Sequence, residues 1–139
     1  MIDYDKFEKS LKHLEAQLRN YRAAAERPEL RDIDREAIAE SVIQRFETCY
    51  DCLWKILKRY LGEVLGIPEL PNSPKPLFRI AFENQLFTVI DQWLMYADAR
   101  VGTAHDYSGE KARETIDNAF VFAHDATELY RKMTGKPWA

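Results

Sequence analysis

The apolar residues at the start of the chain recur at alternating intervals of three and four positions. They are Tyr4, Phe7, Leu11, Leu14, Leu18, Tyr21 and Ala25. An α-helix completes a turn in about 3.6 residues, so this spacing puts all of them on one side of a helix, as a stripe that must be buried. We therefore predict an amphipathic first helix, which ends near Arg27-Pro28 because the residue before a proline avoids helical dihedrals.

A longer run of the same kind follows, and we expect Asp32 or Asp34 to cap its start. Ile43, Trp54 and Ile56 widen its apolar stripe, which indicates a helix buried on more than one side. The second helix is therefore predicted to lie at the centre of the fold. The main stripe consists of Ile38, Val42, Phe46, Tyr50, Leu53, Leu57, Leu61 and Val64.

The segment from Gly66 to Pro76 contains four prolines and ends the second helix. Within it, Ser73-Pro74 is a typical opening for a third helix, with serine as the cap and proline in the first turn. We predict that this helix breaks near Asn84-Gln85 and then continues to Arg100.

Gly102 is predicted to end that helix in a left-handed conformation. Ser108 is predicted to cap a last helix, which ends at Gly135 before a proline. No segment alternates with period two over enough residues to form a strand. We predict an all-α fold: a single domain over residues 1–139, built as an antiparallel up-and-down four-helix bundle with an interrupted third helix.

The charge and apolar patterns limit the partners of the chain. Lys and Arg number 20 against 23 Asp and Glu, a formal net charge of -3, which argues against a broad cationic surface for non-specific nucleic-acid binding. No apolar stretch approaches the roughly 20 residues that span a membrane. The first residues also lack the basic end and apolar run of a signal peptide. We expect a cytoplasmic protein that does not associate with membranes.

Cys49 and Cys52 form an isolated Cys-x-x-Cys pair. The run from Phe46 to Leu61 around them is typical of continuous helix rather than of a zinc knuckle or redox loop, and His13 and His124 lie far away in sequence. We interpret the two thiols as residues of a buried helix and expect neither a metal site nor a cofactor. Among the tryptophans, Trp54 and Trp93 are predicted to anchor the core rather than to stack on bases.

The segment from Arg100 to Tyr107 holds a guanidinium, an imidazole and a phenol within eight residues. An arginine binds phosphate bidentately and a histidine exchanges a proton near neutral pH, so the pair suits cleavage of a phosphodiester without a metal. Residues five apart on an ideal helix are about 140° out of phase, so Arg100 and His105 converge only if the helix breaks between them. Gly102 offers that break. A structural alternative pairs Arg100 with Asp98 or Asp106 at the helix end, with His105 as an ordinary turn residue.

Arg-x4-His followed by x-Tyr, here Arg100, His105 and Tyr107, resembles the signature of HEPN domains. These are small helical bundles that frequently act as metal-independent ribonucleases. In such an enzyme the ribose 2′-hydroxyl attacks its own phosphodiester, His105 moves protons and Arg100 stabilises charge on the phosphoryl oxygens. Tyr107 or Thr103 would hold the phosphate or the imidazole by hydrogen bonds.

Further motifs look like the nucleotidyltransferase substrate-binding branch of that superfamily. The run Glu40–Glu47 with Leu53-Trp54-Lys55 is similar to its second helix, and Ser73-Pro74 and Trp93-Leu94 lie where it has its third helix and the approach to the motif. The resemblance covers nearly the whole chain. Many members carry an acidic residue before the motif arginine and a polar residue after it, where this chain has Ala99 and Val101.

The resemblance implies a minimal nucleotidyltransferase as partner and a homodimer that brings two motifs to a shared cleft. In one interpretation the chain is an endoribonuclease toxin of a toxin–antitoxin pair, acting on RNA, and the partner neutralises it by adding adenylate to Tyr107. In the other it is a non-catalytic subunit that binds the nucleotide or other substrate of a two-component nucleotidyltransferase. A third possibility is a helical dimer with only a scaffolding role.

Glu47 and Lys55 are weaker candidates for substrate binding. With Gln44 and Asp51 they lie at spacings of three or four along one polar stripe of the second helix. That stripe either faces the cleft or is simply exposed to water.

Overall fold

Five α-helices make up most of the chain in the computed structural model, which describes residues 1–102 and 109–138. Within those ranges no β-strand occurs, so the prediction of an all-α fold is confirmed. None of the helices described is both long and apolar enough to cross a bilayer. In chain order the helices are α1 (Asp5–Ala24), α2 (Asp32–Glu63), α3 (Pro74–Glu83), α4 (Ile90–Gly102) and α5 (Gly109–Thr134).

A side chain of α2 closes the end of α1, close to the predicted Arg27-Pro28 boundary. The Arg35 guanidinium donates hydrogen bonds to the carbonyl oxygens of Ala24 and Arg27, at 2.6 and 2.5 Å. The last carbonyl groups of a helix lack helical partners, so this contact supplies donors to them. It also fixes the connection between the first two helices.

The start of α2 differs in detail from the prediction, because Arg31 rather than Asp32 or Asp34 is the residue that precedes the helix. Asp34 still contributes, from the third helical position. Its carboxylate accepts a hydrogen bond from the Arg31 backbone N–H at 2.9 Å, and this bond lowers the pKa of Asp34. The acidic side chain therefore satisfies a donor outside the helix, which is the second half of a capping box.

The third helical segment begins and is interrupted where predicted, although the Ser73 side chain makes no capping hydrogen bond. Ser73 is extended and Pro74 begins α3, and α3 ends at Glu83. Gln85 then adopts a left-handed φ of 64°, which a continuing helix does not allow. The chain becomes helical again at Ile90, where α4 begins.

The two predicted glycine terminators behave differently. Gly135 follows α5 with a left-handed φ of 71°, as expected for a helix stop. Gly102 is the last residue of α4, but its φ lies outside the left-handed range, so that part of the prediction is wrong. The physical reason is that Gly102 still belongs to the last helical turn. The Ser108 cap lies outside the described residues.

The ring of Phe122 on α5 lies at the centre of the core and connects α5 to α2 and α4. Its centroid is 5.2 Å from that of Phe46 and 6.2 Å from that of Tyr50, both on α2. On α4 it lies 5.2 Å from Tyr96 and 6.4 Å from Trp93, which is only 2% exposed and is a core anchor as predicted. Through this ring, α5 connects α4 to the middle of α2.

Cys49 and Cys52 lie in the uninterrupted middle of α2, so the prediction of continuous helix around them is confirmed. Cys49 is fully buried and Cys52 partly buried. Burial raises the pKa of the Cys49 thiol to about 12, because the thiolate would lose its hydration. The Cys49 thiol therefore stays protonated at neutral pH.

Replacing Phe122 with alanine should lower the free energy of unfolding by about 3–5 kcal/mol, since it leaves a cavity where three helices meet. The matched control is Val121→Ala, at a neighbouring side chain that is 45% exposed. That change should stay within about 0.5 kcal/mol. Urea denaturation followed by circular dichroism measures both. A loss below about 1 kcal/mol for Phe122→Ala would contradict the central position of this ring.

Candidate functional site

Arg100, in the last turn of α4, reaches α2 and binds two carboxylates there. Its Nη1 lies 2.8 Å from an oxygen of Glu47. Its Nε and Nη2 lie 3.3 and 3.2 Å from the two oxygens of Asp51, which makes a bidentate pair. Glu47 and Asp51 are four residues apart on α2 and so share one face. We call these three residues the arginine cluster.

The arginine cluster is partly shielded from solvent. The side chain of Glu47 is 17% exposed, that of Arg100 29% and that of Asp51 40%. Partial burial makes these ion pairs stronger than fully hydrated ones. The bidentate contact with Asp51 also fixes the plane of the guanidinium. The cluster therefore holds Arg100 in one orientation.

Among the described residues, Arg100 pairs with Glu47 and Asp51 on α2 and forms no ion pair with Asp98, so the alternative pairing with Asp98 is wrong. Asp98 instead forms an ion pair with Lys75 at the start of α3. The reason is geometric: residues two apart on a helix project about 200° away from each other. Asp106, the other partner considered, lies outside the described residues.

The structure brings together only part of the predicted site. Glu47 contacts Arg100, as the cleft-facing interpretation of the polar stripe requires. Lys55, one turn beyond Asp51, is exposed, and no ion pair in the described ranges includes it. Thr103, His105 and Tyr107 lie outside the described residues, so the convergence of His105 with Arg100 stays a prediction.

Asp51 is a residue of the cluster that was not among the predicted site residues. The signal was present, because Glu47 and Asp51 are like charges one helical turn apart, and such a pair is destabilising by itself. A cation from another element resolves that repulsion. Which cation does so depends on the tertiary packing, and the spacing alone does not identify it.

A groove of about 830 Å³ adjoins the arginine cluster, between α2, the start of α3 and the end of α4. We call it the α2–α4 groove. Four charged residues line it, and they form two ion pairs, Arg100 with Asp51 and Lys75 with Asp98. Its apolar lining consists of Tyr50, Trp54, Pro74, Pro76, Ala97 and Val101.

Two aromatic residues of this lining differ in their exposure. Trp54 packs against the core, in agreement with its predicted anchoring role, but it is only partly buried and also lines the groove. Tyr50 is 2% exposed, and burial raises the pKa of its hydroxyl, with a further rise from the neighbouring Asp51 carboxylate. The Tyr50 phenol therefore stays neutral across the physiological range.

The ion pair between Glu47 and Arg100 should contribute more to stability than an exposed helical pair. We expect a double-mutant cycle of Glu47→Gln and Arg100→Met to give a coupling energy of about 1–2 kcal/mol, because the pair is partly desolvated. The matched control is the exposed pair Arg59 and Glu63, also joined at 2.8 Å, which should give a smaller value. Urea denaturation of both sets of variants measures the two coupling energies. Equal coupling energies would contradict the conclusion that the Glu47–Arg100 pair is shielded from solvent.

Comparison with known proteins places this site in a family. Residues 2–135 match the family described as nucleotidyltransferase substrate binding protein like. A crystal structure of a protein from Thermus thermophilus aligns with a TM-score of 0.66 and 27% sequence identity, covering 87% of this chain and 98% of that one. A 67-residue stretch is 30% identical to the Arabidopsis thaliana protein described as ribosome biogenesis protein BRX1 homolog 1, and it spans 48% of this chain but only 20% of that protein.

The family match extends over all five helices and both residues of α2 that hold Arg100. The chain belongs to the family of nucleotidyltransferase substrate binding protein-like proteins.

Proposed function

We propose that this chain is the non-catalytic substrate-binding subunit of a two-component nucleotidyltransferase, whose separate partner performs the transfer. The family match supports a nucleotidyltransferase partner. The observation that carries the proposal is the arginine cluster beside the α2–α4 groove. A guanidinium in a fixed orientation next to an apolar groove suits recognition of a substrate that has both polar and apolar parts.

The charge of the arginine cluster favours binding over catalysis. One guanidinium faces two carboxylates, so the described part of the cluster carries a net negative charge. Stabilising a phosphoryl transition state requires donors directed at the developing charge, in a site that does not repel it. Arg100 would first have to exchange a carboxylate for the phosphate.

The second candidate is a metal-independent endoribonuclease, the toxin of a toxin–antitoxin pair. The observation that favours it is the position of Arg100 at the end of α4, shortly before the segment that contains Thr103, His105 and Tyr107. In this candidate Arg100 and His105 act on RNA, and Tyr107 receives adenylate from the partner.

Both candidates share the same architecture. We propose one cytoplasmic HEPN-type domain over residues 1–139, folded as an up-and-down four-helix bundle in which α3 and α4 together form the interrupted third helix. A homodimer would bring two copies of the Arg100 segment together.

Coexpression with the nucleotidyltransferase encoded beside it should give a stable complex. Within that complex, Arg100→Met should raise the apparent KM for the nucleotide substrate about tenfold, because the substrate loses an oriented contact. The rate of pyrophosphate release measures the reaction. Arg59→Met, at an exposed ion pair within α2, is the control and should leave the KM unchanged. Absence of a complex, or equal kinetics in both variants, would refute the proposed function.

The purified chain alone, incubated with RNA in EDTA, should give no cleavage if it is a binding subunit. Cleavage that is lost in both Arg100→Ala and His105→Ala would instead establish the ribonuclease, since each change removes one of its two reacting groups. Intact-mass measurement after coexpression adds an independent readout. An added adenylate mapped to Tyr107 would favour the toxin–antitoxin pair.

A further inference from the structure

Trp54 leaves part of a large aromatic surface uncovered in the α2–α4 groove. The other tryptophan of the central core, Trp93, is 2% exposed and is covered by Phe78, Phe87 and Tyr96. Trp54 lies on α2 only three residues after Asp51, so its ring lies beside the arginine cluster. A half-covered indole in a groove is a surface on which a planar ligand can stack.

The start of α3 lines another part of the groove. Pro74 and Pro76 contribute rings and no backbone N–H, whereas Ser73 and Lys75 contribute a hydroxyl and the ammonium group that pairs with Asp98. The two proline rings are apolar surface against which a planar ligand can pack. Ala97 and Val101 complete the apolar lining from α4, and Val101 is 64% exposed.

The charges of the groove limit the kind of ligand that fits it. Lys75 is paired with Asp98, and Arg100 with Asp51, so the charges of the described lining residues cancel. Where no metal ion bridges them, binding a triphosphate requires cations in excess of carboxylates. A groove with balanced charge and an aromatic wall is complementary to an uncharged planar group. Its volume of about 830 Å³ is within the usual range for small-molecule sites.

We propose that the α2–α4 groove binds the nucleobase of a nucleotide substrate against Trp54, and that the phosphates lie outside the groove. This inference rests on the proposed function and specifies which part of the substrate the subunit recognises. The triphosphate and its counter-ions are then held by the nucleotidyltransferase partner. The division of labour explains why a substrate-binding subunit has no excess of cations among the described residues that line its groove.

Titration of the full chain with adenosine, AMP and ATP, without magnesium, tests the inference through tryptophan fluorescence. All three should quench the fluorescence, with dissociation constants within about threefold of each other, because the phosphates add no contact. Guanosine, cytidine and uridine in parallel identify the preferred base. ATP binding more than about tenfold tighter than adenosine would show phosphate recognition and overturn the inference.

Matched variants assign the signal to the groove. Trp54→Phe should abolish the quenching, whereas Trp138→Phe should not, because Trp138 lies at the other end of the chain and binds Glu15. Val101→Glu should weaken adenosine binding by at least about tenfold, since it puts a carboxylate in the apolar wall. Val121→Glu makes the same change at an exposed valine that does not line the groove, and it should have no effect.

Two further outcomes overturn the inference. One is unchanged adenosine binding in Val101→Glu. The other combines two results: the parent chain binds no nucleoside, and light scattering shows a dimer that Val101→Glu converts to monomers. In that case the groove is a contact surface between two copies of the chain. Neither outcome disturbs the proposed function, because the complex with the nucleotidyltransferase and its pyrophosphate release are measured separately. Conversely, nucleoside binding by a chain that forms no complex with the nucleotidyltransferase would support the groove as a base-binding site and refute the proposed function.

Discussion

The packing of Phe122 between α2 and α4 is the contact on which the candidate site depends. It fixes Tyr96 at the centre of the core, where the phenol also donates a hydrogen bond to Asp125. Arg100 lies one turn beyond Tyr96 on α4 and therefore projects from the same side of the helix. The orientation of the guanidinium is thus a consequence of aromatic packing several residues away from it.

Local sequence patterns predicted most of the fold because helices are encoded locally. The spacing of three and four in α1, the Ser73-Pro74 opening and the break after Glu83 all involve residues that are neighbours in sequence. The errors arose where two local solutions compete. At the start of α2 an acidic side chain serves as well from the third position as from the cap, and Gly102 is compatible with a last helical turn as well as with a stop.

The site was less predictable because its contacts join distant parts of the chain. A polar stripe on α2 indicated that Glu47 shares a face with Asp51, but not that this face meets α4. The ion pairs of Arg100 span about fifty positions in sequence, and only the packing of the core brings their partners together. The local alternative that pairs Arg100 with Asp98 fails because helix geometry directs the Asp98 side chain to Lys75.

The residue that follows Arg100 bears on what the groove can bind. Val101 is exposed in the wall of the α2–α4 groove. A polar residue there would orient groups around a reacting phosphate, whereas valine extends an apolar surface towards Trp54. The arginine meanwhile receives its orientation from Glu47 and Asp51 on α2, across the helices. Under the proposed function, an exposed apolar side chain next to an arginine that two carboxylates already hold suits the binding of an uncharged group.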